Sequence, residues 1–176
     1  MLRTLQRKKI EKSRNKVSAM QTIDRIMKEE FKYLCRRQRI DFNTLHLTFQ
    51  MGSKSHSLQM AFTFRETWCD ILCFASPTTF TPCSNNYWEA LQVVNYINWS
   101  IKSWGRYYID TYGDLAYSLR LDYDVLEKMP YECAKEIECA IDYYADLFVA
   151  LLNICQGKTS FNDTKQFIDD MWGGIQ

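Results

Sequence analysis

The chain has 176 residues and a mass of 20.9 kDa, room for one domain with a tail. A hydrophobic content of 47% with 15% aromatics excludes bulk disorder. Lys plus Arg (22) nearly balances Asp plus Glu (21), so no global field drives the chain to nucleic acid or lipid. The balance joins unequal parts: residues 1–39 carry 13 basic and 4 acidic side chains, net +9, and residues 40–176 carry 9 and 17, net −8.

Residues 1–16 read as a basic, flexible arm holding Arg3, Arg7, Lys8, Lys9, Lys12, Arg14 and Lys16. Few aromatics interleave with these charges, so a solvated face is favoured over a nucleic-acid tether, which stands as the alternative reading. Charges interrupt Leu2, Leu5 and Ile10, so no apolar export signal follows. The longest uncharged run, Ile71 to Trp88, contains Pro77 and Pro82 and cannot span a membrane. A cytoplasmic protein is expected.

From Val17 a helical stripe appears at Met20, Ile23, Met27, Phe31 and Leu34, which predicts a helix over 17–38. Two alternating runs follow, Leu45 to Met51 and Leu58 to Phe64, joined by Gly52-Ser53-Lys54-Ser55. Pairing Met51 with His56 sets Phe49 opposite Leu58, Leu47 opposite Met60 and Leu45 opposite Phe62, with every apolar side chain on one face. A third strand, Trp68 to Ala75, is apolar on both faces apart from Asp70.

Asn86, three residues before Glu89, reads as a capping box opening a helix over 87–102, with Trp88, Leu91, Val94 and Ile101 on its buried side. A second hairpin follows. A three-residue loop, Thr111-Tyr112-Gly113, pairs Ile109 with Leu115 and Tyr107 with Tyr117, with Gly113 in the left-handed position. Pro130 opens a long helix over 130–156 whose stripe runs from Cys133 through Ile137, Ala140, Ile141, Tyr144, Phe148, Leu151 and Leu152 to Cys155, and Gly157 ends it. A short helix, Thr164 to Trp172, completes the order α-β-β-β-α-β-β-α plus tail helix. The fold class is α+β: a single antiparallel sheet of about five strands with the helices on one face. The domains are the arm (1–16), one α+β domain (17–157) and a C-terminal tail (158–176).

Little in the chain suggests chemistry. There is no phosphate-cradling glycine loop, nucleophile elbow or His-Glu-x-x-His. The two histidines are separated, since His46 falls opposite Ala61 rather than His56. Seven cysteines at irregular spacing read as buried free thiols. Cys69 and Cys73 share a strand face but lie about 13 Å apart, too far for one metal ion. Asp122, Asp124 and Glu127 lack the calcium-loop glycine and read as a solvated connection. No catalytic residue, metal or cofactor is assigned, and an enzyme with an unrecognised site is the other alternative.

The stretch Val94 to Leu121 holds a motif: Asn95-x-x-Asn98, then Gly105-Arg106-Tyr107, then Asp110-x-x-Gly113-Asp114-Leu115. This pattern resembles the YbjN-type domain family, labelled as sensory-transduction regulators, which shares the fold of type III secretion chaperones. The element order from about Met20 to Cys155 is compatible with it. The basic arm and the segment beyond Gly157 lie outside that core. The resemblance implies a bacterial, non-catalytic domain that binds a protein or peptide, often as a homodimer, with no catalytic residues to transfer.

On the residues themselves, Asn95 and Asn98 are expected to satisfy backbone groups near Trp104 and Gly105, and Gly105 to let that strand approach the helix. The candidate binding residues are Trp68, Arg106, Tyr108 and Arg120, on the open sheet face and its aromatic edge. The breadth of the last long helix requires a cover, supplied by Phe167, Ile168 and Trp172 of the tail or by a second subunit.

Overall fold

The computed structural model describes residues 2–31, 35–39, 44–50, 57–76 and 81–173. Six strands form one antiparallel sheet: β1 (Cys35–Arg39), β2 (Thr44–Gln50), β3 (Ser57–Phe64), β4 (Trp68–Ser76), β5 (Arg106–Ile109) and β6 (Leu115–Asp122), in the spatial order β1-β2-β3-β4-β6-β5. The helices are α1 (Leu2–Glu29), α2 (Tyr87–Ser100), α3 (Tyr123–Lys128), α4 (Pro130–Cys155) and α5 (Phe161–Met171), with a 3-10 turn at Ser84–Asn86. The α+β class and the single antiparallel sheet are as the sequence predicts.

Alternation decides which face is covered. Leu58, Met60, Phe62 and Phe64 of β3 stand beside Ala75, Cys73, Ile71 and Cys69 of β4, and Tyr117, Leu119 and Leu121 of β6 continue the rows. All are buried and merge with Ile23 and Met27 of α1, Val93 and Ile97 of α2, and Ile137, Tyr144 and Leu151 of α4. The alternate positions, from Thr63, Asp70 and Leu72 to Ser118 and Arg120, are half-buried or exposed. The described helices therefore lie on one side of the sheet, and among the described residues its other face is bare.

Both hairpin registers agree with the pattern. In the first, Phe49 pairs with Leu58, Leu47 with Met60 and His46 with Ala61. Its turn, with Met51 and His56, lies outside the described residues. In the second, Ile109 pairs with Leu115 and Tyr107 with Tyr117, and Gly113 sits at φ +85°. The Asp110 carboxylate accepts from the Tyr112 amide at 2.8 Å and the Asp114 amide at 2.9 Å, closing that turn.

Four expectations need correction. The helix expected over 17–38 starts at Leu2 and ends at Glu29, so the arm of residues 1–16 opens α1, and Cys35–Arg39 forms the sixth strand. Asn86 and Glu89 make no capping box. The Asn86 amide instead donates to the Ile154 carbonyl, and Glu89 accepts from the Phe161 amide at 2.6 Å, tying the start of α2 to α4 and α5. Trp88 faces solvent at 76% exposure, and α2 buries Ala90, Val93, Val94 and Ile97. The tail helix starts at Phe161, earlier than Thr164, because Ser160 and Asp163 form a true capping box.

Gly157, at φ +68°, ends α4 by donating to Ile154 while Lys158 donates to Asn153, a Schellman closure. The chain can then turn back, and α5 packs on α2 and α4. Ile168 is fully buried and the Trp172 ring meets Tyr143 edge-on at 5.8 Å, so the tail covers part of α4 within the subunit. Phe167 remains 46% exposed.

Candidate functional site

The bare sheet face is organised around Asp70. It is the one charged residue in β4, and its neighbours across the strands are Thr63 and Arg120. Its carboxylate accepts from the Trp68 indole N–H at 3.0 Å, the Arg65 Nε at 3.1 Å and the Arg120 Nε at 3.1 Å. The Arg120 guanidinium also lies over the Trp68 ring, 4.9 Å from its centre. Partial burial pushes the Asp70 carboxyl up, but the hydrogen bonds from Trp68, Arg65 and Arg120 outweigh it and hold it below the usual carboxylate range. One carboxylate thus fixes two arginines and an indole. Arg65 is placed by the β3–β4 turn, where its carbonyl accepts from the Tyr123 hydroxyl at 2.8 Å. A shallow hollow of about 460 Å³ opens there between Lys16, Arg65, Glu66, Thr67 and Trp68.

Beyond this clamp the face turns apolar. Ala61 pairs with Leu72, and Gln59 with Phe74. Leu72 pairs with Ser118, and Ala116 with Tyr108, which is 38% exposed. A hollow of about 230 Å³ is lined by Leu72, Phe74, Ala116 and the turn residues Asp110 and Asp114. Of the four candidate binding residues, Trp68 and Arg120 meet directly. Arg106 is a diagonal neighbour of Arg120 across β5 and β6, but its guanidinium is held by the carbonyls of Ser103 and Gly105. Tyr108 stands at the far end of the apolar strip.

The asparagine pair divides. Asn98 clasps the edge strand: its Nδ2 donates to the Tyr107 carbonyl and its Oδ1 accepts from the Tyr107 amide, both at 2.8 Å. The partner is Tyr107 rather than Trp104 or Gly105. This contact occupies the outward backbone groups of an edge strand that would otherwise invite another chain. Asn95 is exposed and takes no part in it. Gly105 is needed for a different neighbour than expected. A Cβ there would lie 2.2 Å from the Tyr117 hydroxyl, so the close approach is to the ring on β6 and not to α2.

A second polar cluster went unread in the sequence. The Ser103 hydroxyl donates to Glu136 at 2.6 Å and accepts from the Tyr117 hydroxyl at 2.6 Å and the Gly105 amide at 3.2 Å. Glu136 also accepts from the Trp104 amide at 2.7 Å. Every member has a partner, so the cluster staples the α2–β5 connection to α4. Burial pushes the Tyr117 hydroxyl well above the ordinary tyrosine range, which keeps it a donor. No sequence motif links residues 103, 117 and 136. The nearest signal is a serine beside the Gly-Arg-aromatic stretch.

The cysteines carry no assigned chemistry. Burial pushes the Cys69 and Cys73 thiols far above their usual range, Cys155 to about 12 and Cys133 to about 11. Among the described residues, no group of three His, Cys, Asp or Glu is placed to hold a metal ion, and no helix is long and apolar enough to cross a membrane. No protein-family model, curated protein or solved structure matches this chain.

Proposed function

We propose that this chain is a cytoplasmic, bacterial, non-catalytic domain that holds a protein or peptide segment against the open face of its sheet. The observation that supports it is the one-sided layering. The described helices pack under the sheet, and the other face offers half-buried Leu72 and Phe74 with exposed Tyr108, over a hollow floored by the buried Ala116, beside the Trp68–Arg120 clamp. A monomer gains nothing by holding such a strip toward water, and patches of this kind mark binding surfaces. The strip supplies burial, and the fixed indole and guanidinium supply an aromatic anchor with directional donors. The likeness of the 95–115 motif to YbjN-type domains, and through them to secretion chaperones, points the same way.

The test is selection of binders from a displayed peptide library, followed by titration against variants. Binders are expected to weaken at least tenfold with Leu72→Asp or Arg120→Ala and to be unaffected by Asp163→Asn on the opposite layer. A dominant binder class indifferent to both sheet-face variants refutes the reading.

A further inference from the structure

Helix α2 presents a stripe that its own subunit leaves uncovered. Trp88 and Trp99 are 76% and 75% exposed, and Gln92 and Asn95 between them are exposed as well. Steps of four, three and four residues put all four on one side of the helix. The order tryptophan, amide, amide, tryptophan reads the same in both directions about a point between Val93 and Val94. Two copies of α2 packed antiparallel about a two-fold axis through that point set each Trp88 against a Trp99 and each Gln92 against an Asn95. This is the self-complementarity that a closed two-fold interface requires.

We propose that the exposed face of α2 is the interface of a symmetric dimer of this chain, centred between Val93 and Val94. Four features of the surface fit a second copy. The stripe carries no charge, and the carboxylate that follows Trp88, Glu89, turns inward to the Phe161 amide. The chain's net charge of +1 leaves little repulsion between copies. Antiparallel helices oppose their macrodipoles favourably. A hollow of about 390 Å³ beside Trp99, lined also by Gln92, Asn95, Tyr96 and Phe161, is large enough for the opposing indole.

Area sets the strength. Two indoles three-quarters exposed and two amides offer about 500 Å² per subunit, or about 1,000 Å² in all, the lower limit of a specific interface. The dimer is therefore a weak one, with a dissociation constant on the order of micromolar. It leaves both bare sheet faces outward, so this proposal does not depend on what those faces bind.

Sedimentation equilibrium on the full chain, from about 5 to 300 µM, tests it. The average mass is expected to rise with concentration from 20.9 kDa toward twice that value. Trp88→Ser and Trp99→Ser, both at exposed positions, are expected to stay monomeric with unchanged circular dichroism. Charge pairs test the register. Gln92→Glu with Asn95→Lys places opposite charges across the axis and keeps the dimer, whereas Gln92→Lys with Asn95→Lys places like charges there and abolishes it. A monomer throughout the range, a dimer that survives both serine variants, or equal behaviour of the two charge pairs overturns the proposal.

Discussion

Replacing Asn98 with Asp exchanges one NH2 for an oxygen and leaves the side chain's shape intact. In the native protein that NH2 donates to the Tyr107 carbonyl at 2.8 Å while the side-chain oxygen accepts from the Tyr107 amide. At neutral pH the introduced carboxylate keeps the second bond but sets an anionic oxygen against the carbonyl. Losing one hydrogen bond costs about 1 kcal/mol, and leaving a part-buried acceptor facing a like dipole adds about 1–2 kcal/mol. A destabilisation of about 2–3 kcal/mol lowers the melting temperature of a chain this size by roughly 4–12 °C. Protonation restores a donor at that oxygen. The introduced carboxyl therefore has a folded-state pKa above its unfolded value of about 3.9, and the deficit shrinks as pH falls through the folded pKa. Urea titrations of the wild type, Asn98→Asp and Asn98→Ala at several pH values from 7 to about 4 measure this directly. The alanine variant loses both bonds and has no pH-dependent recovery. A gap between wild type and Asn98→Asp that stays constant across the range, or an alanine variant as stable as wild type, refutes the clasp.

Gly105→Ala forces a methyl to within 2.2–2.6 Å of the fully buried Tyr117 ring and is expected to cost about 1–3 kcal/mol by thermal melting, whereas Gly173→Ala on the open C-terminal turn costs less. The Tyr107 hydroxyl is buried without a hydrogen-bond partner among the described residues, so Tyr107→Phe is expected to be neutral or stabilising by up to about 1 kcal/mol in urea. Because Asp70 is held below the usual carboxylate range by its clamp, the stability it contributes is present above its unfolded pKa and disappears as pH falls through the folded value; Asp70→Asn should flatten that acid limb of the stability curve. Cys83 is exposed while Cys69, Cys73, Cys133 and Cys155 are buried, so Cys83→Ser should remove one equivalent of fast reaction with a disulfide reagent in the native state, and those four should react only on unfolding.

The hairpins were legible because a period of two fixes both face and register, and Gly113 singles out one loop length. The edge strand was not. Cys35-Arg36-Arg37-Gln38-Arg39 has no alternating apolar set, and its pairing with β2 rests on backbone hydrogen bonds that no side-chain pattern announces. The Met20 to Leu34 stripe also runs into it, which made a longer helix the natural reading. Asn86 and Glu89 have the spacing of a local cap, yet their partners at Ile154 and Phe161 are remote in sequence. Hydrophobicity alone places Trp88 inside, whereas α2 fills its core side with Ala90, Val93, Val94 and Ile97. For the candidate site, Trp68 and Arg120 could be placed on one face, but the residue that joins them could not. Asp70 stood out as the lone charge in an apolar run, and its two arginines come from a turn and from a strand on the far side of α2.

The sheet consists of two sequence-local pieces, β1 to β4 and the β5–β6 hairpin, joined only by the pairing of β4 with β6. Each piece closes over short loops, while the seam must bring together residues as far apart as Asp70 and Arg120, separated by 50 positions. Contacts of that range reward the chain only after the loop entropy is overcome. The Asp70–Arg120 bond and the Trp68–Arg120 contact lie on that seam. The clamp on the bare face therefore exists only once the two pieces have docked, and any opening of the seam in the native ensemble removes it before either piece unfolds.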